Sequence, residues 1–137
     1  MVDRQVARVR IGVADDQPEV RKTFVRLLEA LGNEVVFAVG DGAELVDRCC
    51  DEQVDMVFVD LDMPVMDGLA AAEQISAKGI PVILVSGHPD AESVVLEHEP
   101  VVMRIIKPAM PATIQRAIAQ ALAATGDRVD GTVPARD

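Results

Sequence analysis

Two groups of acidic residues hold most of the chemistry this chain can offer. Asp15-Asp16 follows one short apolar run, and Asp60, with Asp62 two residues on, follows another. Ser86 and Lys107 stand directly after two further apolar runs. Carboxylates held close together repel one another, and one tends to keep its proton unless a cation neutralises the group. A hard, oxygen-preferring divalent ion does this. Mg²⁺ suits the task because it takes one or two carboxylates and keeps several waters. Those water positions can hold phosphoryl oxygens, and a carboxylate beside the ion can act as a nucleophile, as in aspartyl-phosphate chemistry. Phosphoryl transfer needs little beyond positioning and positive charge on the equatorial oxygens. Mg²⁺ and Lys107 supply the charge, and Ser86 supplies a hydrogen-bond donor.

This chemistry requires the four places to meet. Apolar runs at 9–14, 35–39, 56–59, 82–85 and 101–106 read as strands. Val57-Phe58-Val59 and Val82-Ile83-Leu84-Val85 are continuously apolar, as parallel strands covered on both faces must be. Amphipathic segments alternate with them. Val20, Phe24, Leu27 and Leu31 recur at helical spacing over 18–31, with Pro18 near the start and Gly32-Asn33 at the end. Shorter helices are expected over 43–50 and 68–78. Ile114, Ala117, Ile118, Ala121 and Leu122 form a stripe over 111–124. Residues 90–98 have a poor stripe, closed early by Pro100. The alternation predicts an α/β domain with a parallel sheet and helices on both faces. Ligands of such sheets bind beyond the carboxyl ends of the strands. The three carboxylates, the hydroxyl and the ammonium all fall there.

Composition narrows the class. The chain has 137 residues, half of them hydrophobic, with a formal net charge of −10. That is one domain with enough apolar material for a core. The acidic balance, with three Phe and no Tyr or Trp, argues against direct nucleic-acid binding. No run nears the ~18–20 apolar residues of a membrane span, and no signal peptide opens the chain, so a cytoplasmic protein without membrane insertion is expected. Cys49 and Cys50 are adjacent and cannot staple distant segments; one of them should face inward from a helix. His88 and His98 have no partner at ligand spacing.

At these residues the sequence resembles the receiver domains of two-component response regulators. The motifs are Asp15-Asp16, the string Asp60-Leu61-Asp62-Met63-Pro64-Val65-Met66-Asp67-Gly68, Val85-Ser86-Gly87 and Lys107-Pro108. The resemblance implies a flavodoxin-like (βα)5 doubly wound sheet with strand order 2-1-3-4-5. A receiver would span 8–124, with 1–7 as an N-terminal extension and 125–137 as a tail or the start of a linker. Asp60 would be phosphorylated by a sensor histidine kinase or phosphotransfer protein. Asp16 and Asp60 would hold Mg²⁺, with the backbone carbonyl of Asp62 as a third ligand and Asp15 in support. Ser86 would bond a phosphoryl oxygen. Lys107 would pair with Asp60 and then with the phosphoryl group, and the Lys107–Pro108 peptide would be cis. The protein would be a regulatory phosphoacceptor rather than an enzyme with a separate substrate. Its output would pass to a downstream protein partner or a fused output domain, and homodimerisation stays open.

Competing readings stand beside these. Asp15-Asp16 could cap the helix that starts at Pro18, and Ser86-Gly87 could be a strand-ending turn. Asp60-Leu61-Asp62 also resembles the Asp-x-Asp of haloacid-dehalogenase-type phosphatases, although Pro64 departs from their pattern and the chain lacks room for a substrate cap. A receiver fold that binds partners by contact alone is a third reading. Arg104 occupies a position where many receivers carry Tyr or Phe. An arginine cannot bury its charged head without a partner, so its head is expected on the outer face, in a salt bridge or partner contact.

Overall fold

The computed structural model describes residues 8–60, 68–87 and 101–124. Within them the chain runs β1 (Arg10–Ala14), α1 (Pro18–Ala30), β2 (Glu34–Val39), α2 (Gly42–Asp51), β3 (Met56–Asp60), α3 (Gly68–Ala77), β4 (Val82–Ser86), β5 (Val101–Ile106) and α4 (Pro111–Ala124). These bounds fall within one or two residues of the sequence pattern. The helix expected over 90–98 lies outside the described residues.

The five strands form one parallel sheet in the order β2-β1-β3-β4-β5. Residues 56–60 and 82–86 are buried throughout, which accounts for their unbroken apolar runs. Side chains alternate between two cores. Val13, Phe58, Ile83 and Ile105 meet Leu28 of α1 and Ile114 and Ile118 of α4. Ala14, Val57, Val59 and Leu84 meet Leu45 and Cys49 of α2 and Ala72 and Ile75 of α3. Helices thus cover both faces, and the carboxyl ends of all five strands share one edge.

Local chemistry sets the turns at both edges of the sheet. Gly32 takes φ 97° just after α1, where a side chain would be strained. Asn33 follows, and its Nδ2 donates to the Leu28 carbonyl at 3.0 Å, closing the helix end. Asp41 caps α2, its Oδ1 accepting the Glu44 N–H at 2.8 Å.

A close approach joins β1 to the edge strand β2. Gly12 pairs with Phe37 across a register shift between β1 and β2. A Cβ on Gly12 would lie 2.4 Å from Cζ of Phe37. The missing side chain leaves the space that the ring fills. Arg48 covers the same ring, its Cζ 5.0 Å from the centroid.

Candidate functional site

The acidic pair is set by the turn between β1 and α1. Asp15 directly follows β1, and its N–H continues the sheet ladder to the Val39 carbonyl at 3.0 Å. Its Oδ1 accepts the Gln17 N–H at 2.9 Å. Gln17, not either aspartate, holds the N-cap position of α1, and no side chain caps the helix there. The capping reading of Asp15-Asp16 is therefore not what the structure contains.

Asp60 is the last residue of β3, pairs with Val85 of β4 and is buried. Carboxylate oxygens of Asp15, Asp16 and Asp60 lie within 4.8 Å of one another. Adjacent oxygens around an octahedral Mg²⁺ stand about 3 Å apart and opposite ones about 4 Å. An all-oxygen, negatively charged donor set suits such an ion once these side chains draw together around it. Among the described residues no second group of His, Cys, Asp and Glu side chains gathers in this way.

Lys107 reaches the cluster from the far side. Its Nζ donates to Oδ2 of Asp60 at 3.2 Å. Its backbone N–H bonds the Ser86 carbonyl at 2.7 Å, tying the ends of β4 and β5. The Lys107–Pro108 peptide is cis. Ser86 is buried at the end of β4, one residue beyond the Asp60–Val85 pair. The structure thus brings Asp15, Asp16, Asp60 and Lys107 together and places Ser86 at the adjoining strand end. Asp62, His88 and His98 lie outside the described residues.

Burial and the neighbouring charges shift one titration. Burial pushes the Asp15 carboxyl above the ordinary carboxylate range; the Gln17 N–H opposes this, Asp60 adds to it, Lys107 opposes and Asp16 adds. A cation placed among the three carboxylates would relieve that cost.

A cavity of about 660 Å³ opens beside the cluster, between α1 and the sheet end. Thr23 and Phe24 of α1 line it with Phe58, Val85 and Pro108, and Asp15, Asp60 and Lys107 also reach it. Solvent thus has a path to the Asp60 side, although that side chain is only 3 % exposed.

Two arginines add detail that the sequence does not carry. Arg104 is half-buried, and its Nε is shielded from water. It pairs with Leu84 of β4, next to Ile105, whose side chain enters the core under α4. Arg21 was not legible as a site residue. Its Nη1 donates to the main-chain carbonyl of Asp15 at 2.7 Å. Arg21, Val25 and Leu28 share a helical face, and a charge on the face of buried Leu28 was the available sign.

The family model described as response regulator receiver domain matches residues 11–119. The chain belongs to that family. Its curated relatives include a protein-glutamate methylesterase/protein-glutamine glutaminase of Haloarcula marismortui, 39% identical over 83 residues, or 60% of this chain and 22% of that protein. Another is the transcriptional regulatory protein PdtaR of Mycobacterium tuberculosis, 36% identical over 76 residues, or 56% of this chain and 37% of PdtaR. The aligned part of the receiver therefore spans well under half of these relatives' lengths. Among solved structures, the response regulator TrrA of Thermotoga maritima, in complex with Mg²⁺ and a beryllium fluoride, superposes with a TM-score of 0.73. That match covers 83% of this receiver and 99% of TrrA at 23% identity, so it speaks to the fold. The order 2-1-3-4-5 expected from the resemblance is the one observed. No described helix is long and apolar enough to cross a membrane.

Proposed function

We propose that this receiver accepts a phosphoryl group on Asp60 from a histidine kinase or phosphotransfer protein, in a Mg²⁺-dependent reaction, and thereby changes its binding to a partner. The observation that supports this most is the meeting of three carboxylates within 4.8 Å with an ammonium 3.2 Å from the Asp60 oxygen. Asp16 and Asp60 would hold Mg²⁺ with the backbone carbonyl of Asp62, and Asp15 supports the set. When bound, the ion neutralises the carboxylates and the phosphoryl oxygens.

An Asp60 carboxylate oxygen attacks the phosphorus of the donor, the P–N bond to the donor histidine breaks, and the imidazole leaves. The product is an acyl phosphate on Asp60. Lys107 moves from the carboxylate to a phosphoryl oxygen, and Ser86 donates a hydrogen bond to another. Attack by water on the same phosphorus restores the carboxylate and releases inorganic phosphate. The acyl phosphate acts by favouring one of two conformations. The receiver, spanning 8–124, is a regulatory element of the cytoplasm rather than an enzyme with its own substrate. Its output goes to a protein partner or a fused output domain.

Stoichiometry tests this. Labelling from acetyl phosphate should stop at one phosphoryl group per chain and require Mg²⁺, while an added phosphomonoester is not turned over. Steady turnover of the phosphomonoester would instead favour the haloacid-dehalogenase-like reading. Equal partner affinity for wild type and Asp60→Asn under phosphorylating conditions would favour the contact-only module.

A further inference from the structure

Asp15 is held from three directions, two through its main chain and one through its side chain. Its N–H bonds Val39 at the end of β2, its Oδ1 takes the Gln17 N–H, and its carbonyl accepts Nη1 of Arg21 at 2.7 Å. The third contact differs in kind. That carbonyl belongs to the peptide that joins Asp15 to Asp16, so its orientation sets the direction in which the Asp16 side chain leaves the turn.

We propose that Arg21 is a positioning residue that aims the Asp16 carboxylate at the metal position by gripping the Asp15–Asp16 peptide, and that Gly40 is glycine to make room for it. The inference rests on the Mg²⁺-binding reading above. Arg21 lies in the opening turns of α1, six residues after Asp15, so the bond ties the turn to the helix it feeds. A Cβ on Gly40 would stand 3.2 Å from Arg21 Nη1, tighter than ordinary contact. Gly40 does not have a positive φ, so its backbone does not call for glycine, whereas a side chain there would push the guanidinium by a few tenths of an ångström. Arg21 donates to a neutral carbonyl in this bond and leaves the carboxylates for a cation.

The sign of one effect separates positioning from charge. A guanidinium near the cluster repels a divalent ion, so charge removal alone tightens metal binding. Loss of positioning weakens it, because supporting contacts of this kind typically govern about tenfold in metal affinity. Mn²⁺ binding to the full chain, read from the free-ion electron paramagnetic resonance signal without any phosphodonor, decides between them. The comparison uses wild type, Arg21→Gln, Arg21→Lys and Gly40→Ala, at a temperature where circular dichroism shows the folded state.

Arg21→Gln should bind Mn²⁺ about tenfold more weakly. Arg21→Lys should fall between it and wild type, and Gly40→Ala should weaken binding by a smaller factor. Phosphorylation of Arg21→Gln from acetyl phosphate should return close to the wild-type rate at saturating Mg²⁺, a split that a general loss of structure does not give. Unchanged or tighter Mn²⁺ binding by Arg21→Gln overturns the inference. If that variant does not fold, unchanged binding by Gly40→Ala overturns it. Wild type that binds no Mn²⁺ and takes no phosphoryl group removes the underlying reading instead, and this inference with it.

Discussion

Nζ of Lys107 lies 3.2 Å from Oδ2 of Asp60, with the aspartate side chain 3 % exposed and the lysine 28 %. A carboxylate so far withdrawn from water needs a cation close by. The pair joins the end of β3 to the residue after β5 across the intervening β4. Lys107→Ala leaves Asp60 facing Asp15 and Asp16 without its counter-charge. The expected loss is about 1–3 kcal/mol in a chelating buffer, held at the low end by the lysine's partial exposure. Mg²⁺ should restore part of it. Urea denaturation with and without Mg²⁺ measures both; identical midpoints for variant and wild type in chelator would contradict the account.

Asp15 carries a pH-dependent cost. Burial first, with the Asp60 and Asp16 charges, raises its pKa on folding above the unfolded value. The neutral acid is therefore the form that folding favours. Stability from this group is complete below the unfolded pKa and is lost as pH rises through the folded pKa. Asp15→Asn should raise the metal-free melting temperature at neutral pH and have little effect at acidic pH, where both side chains are neutral. Mg²⁺ should protect wild type more than the variant. A neutral-pH melting temperature below that of wild type would contradict this.

Gly12→Ala tests the packing that holds β1 beside β2. The added carbon would lie 2.4 Å and 2.6 Å from Cζ and Cε1 of Phe37, so the ring or the strand must move. Overpacking of this kind costs about 1–3 kcal/mol. Phe37→Leu in the same chain should recover part of the loss, since the obstructing ring atoms are gone. Chemical denaturation of the single and double variants checks the pair, and strictly additive effects would separate the two residues.

The parts of this design that were legible in the sequence are those that depend on local pattern. Val82-Ile83-Leu84-Val85 reads as a doubly covered strand because each face demands apolar groups. Asp60 reads as a strand-end residue because the apolar run stops there. Pro18 and Gly32 mark α1 by backbone chemistry alone. The relationships that stayed hidden are between residues far apart in sequence. Phe37 over Gly12 depends on a register shift that no spacing announces. Arg21 acts on a main-chain carbonyl, which every residue carries, so its target leaves no mark in the side-chain pattern. Arg104 looks like a surface charge by type, yet its place in β5 draws Nε out of water.

The two thiols should react at different rates. Burial pushes the Cys49 thiol up to about 11, so it stays protonated and shielded at ordinary pH. Cys50 is exposed, and Nζ of Lys78 lies 2.7 Å from its sulfur. A disulfide reagent should label one thiol quickly in the native protein and the second only on unfolding. Cys50→Ser should abolish the fast phase, and a persisting fast phase would contradict the assignment.

The most direct test of the central claim is the intact mass of the chain after incubation with acetyl phosphate. With Mg²⁺, wild type should gain the mass of one phosphoryl group and lose it again over time. Asp60→Asn should gain none, and chelation of Mg²⁺ should prevent the gain in wild type. A phosphoryl group that still appears on Asp60→Asn, or a wild-type chain that never acquires one, would contradict the account.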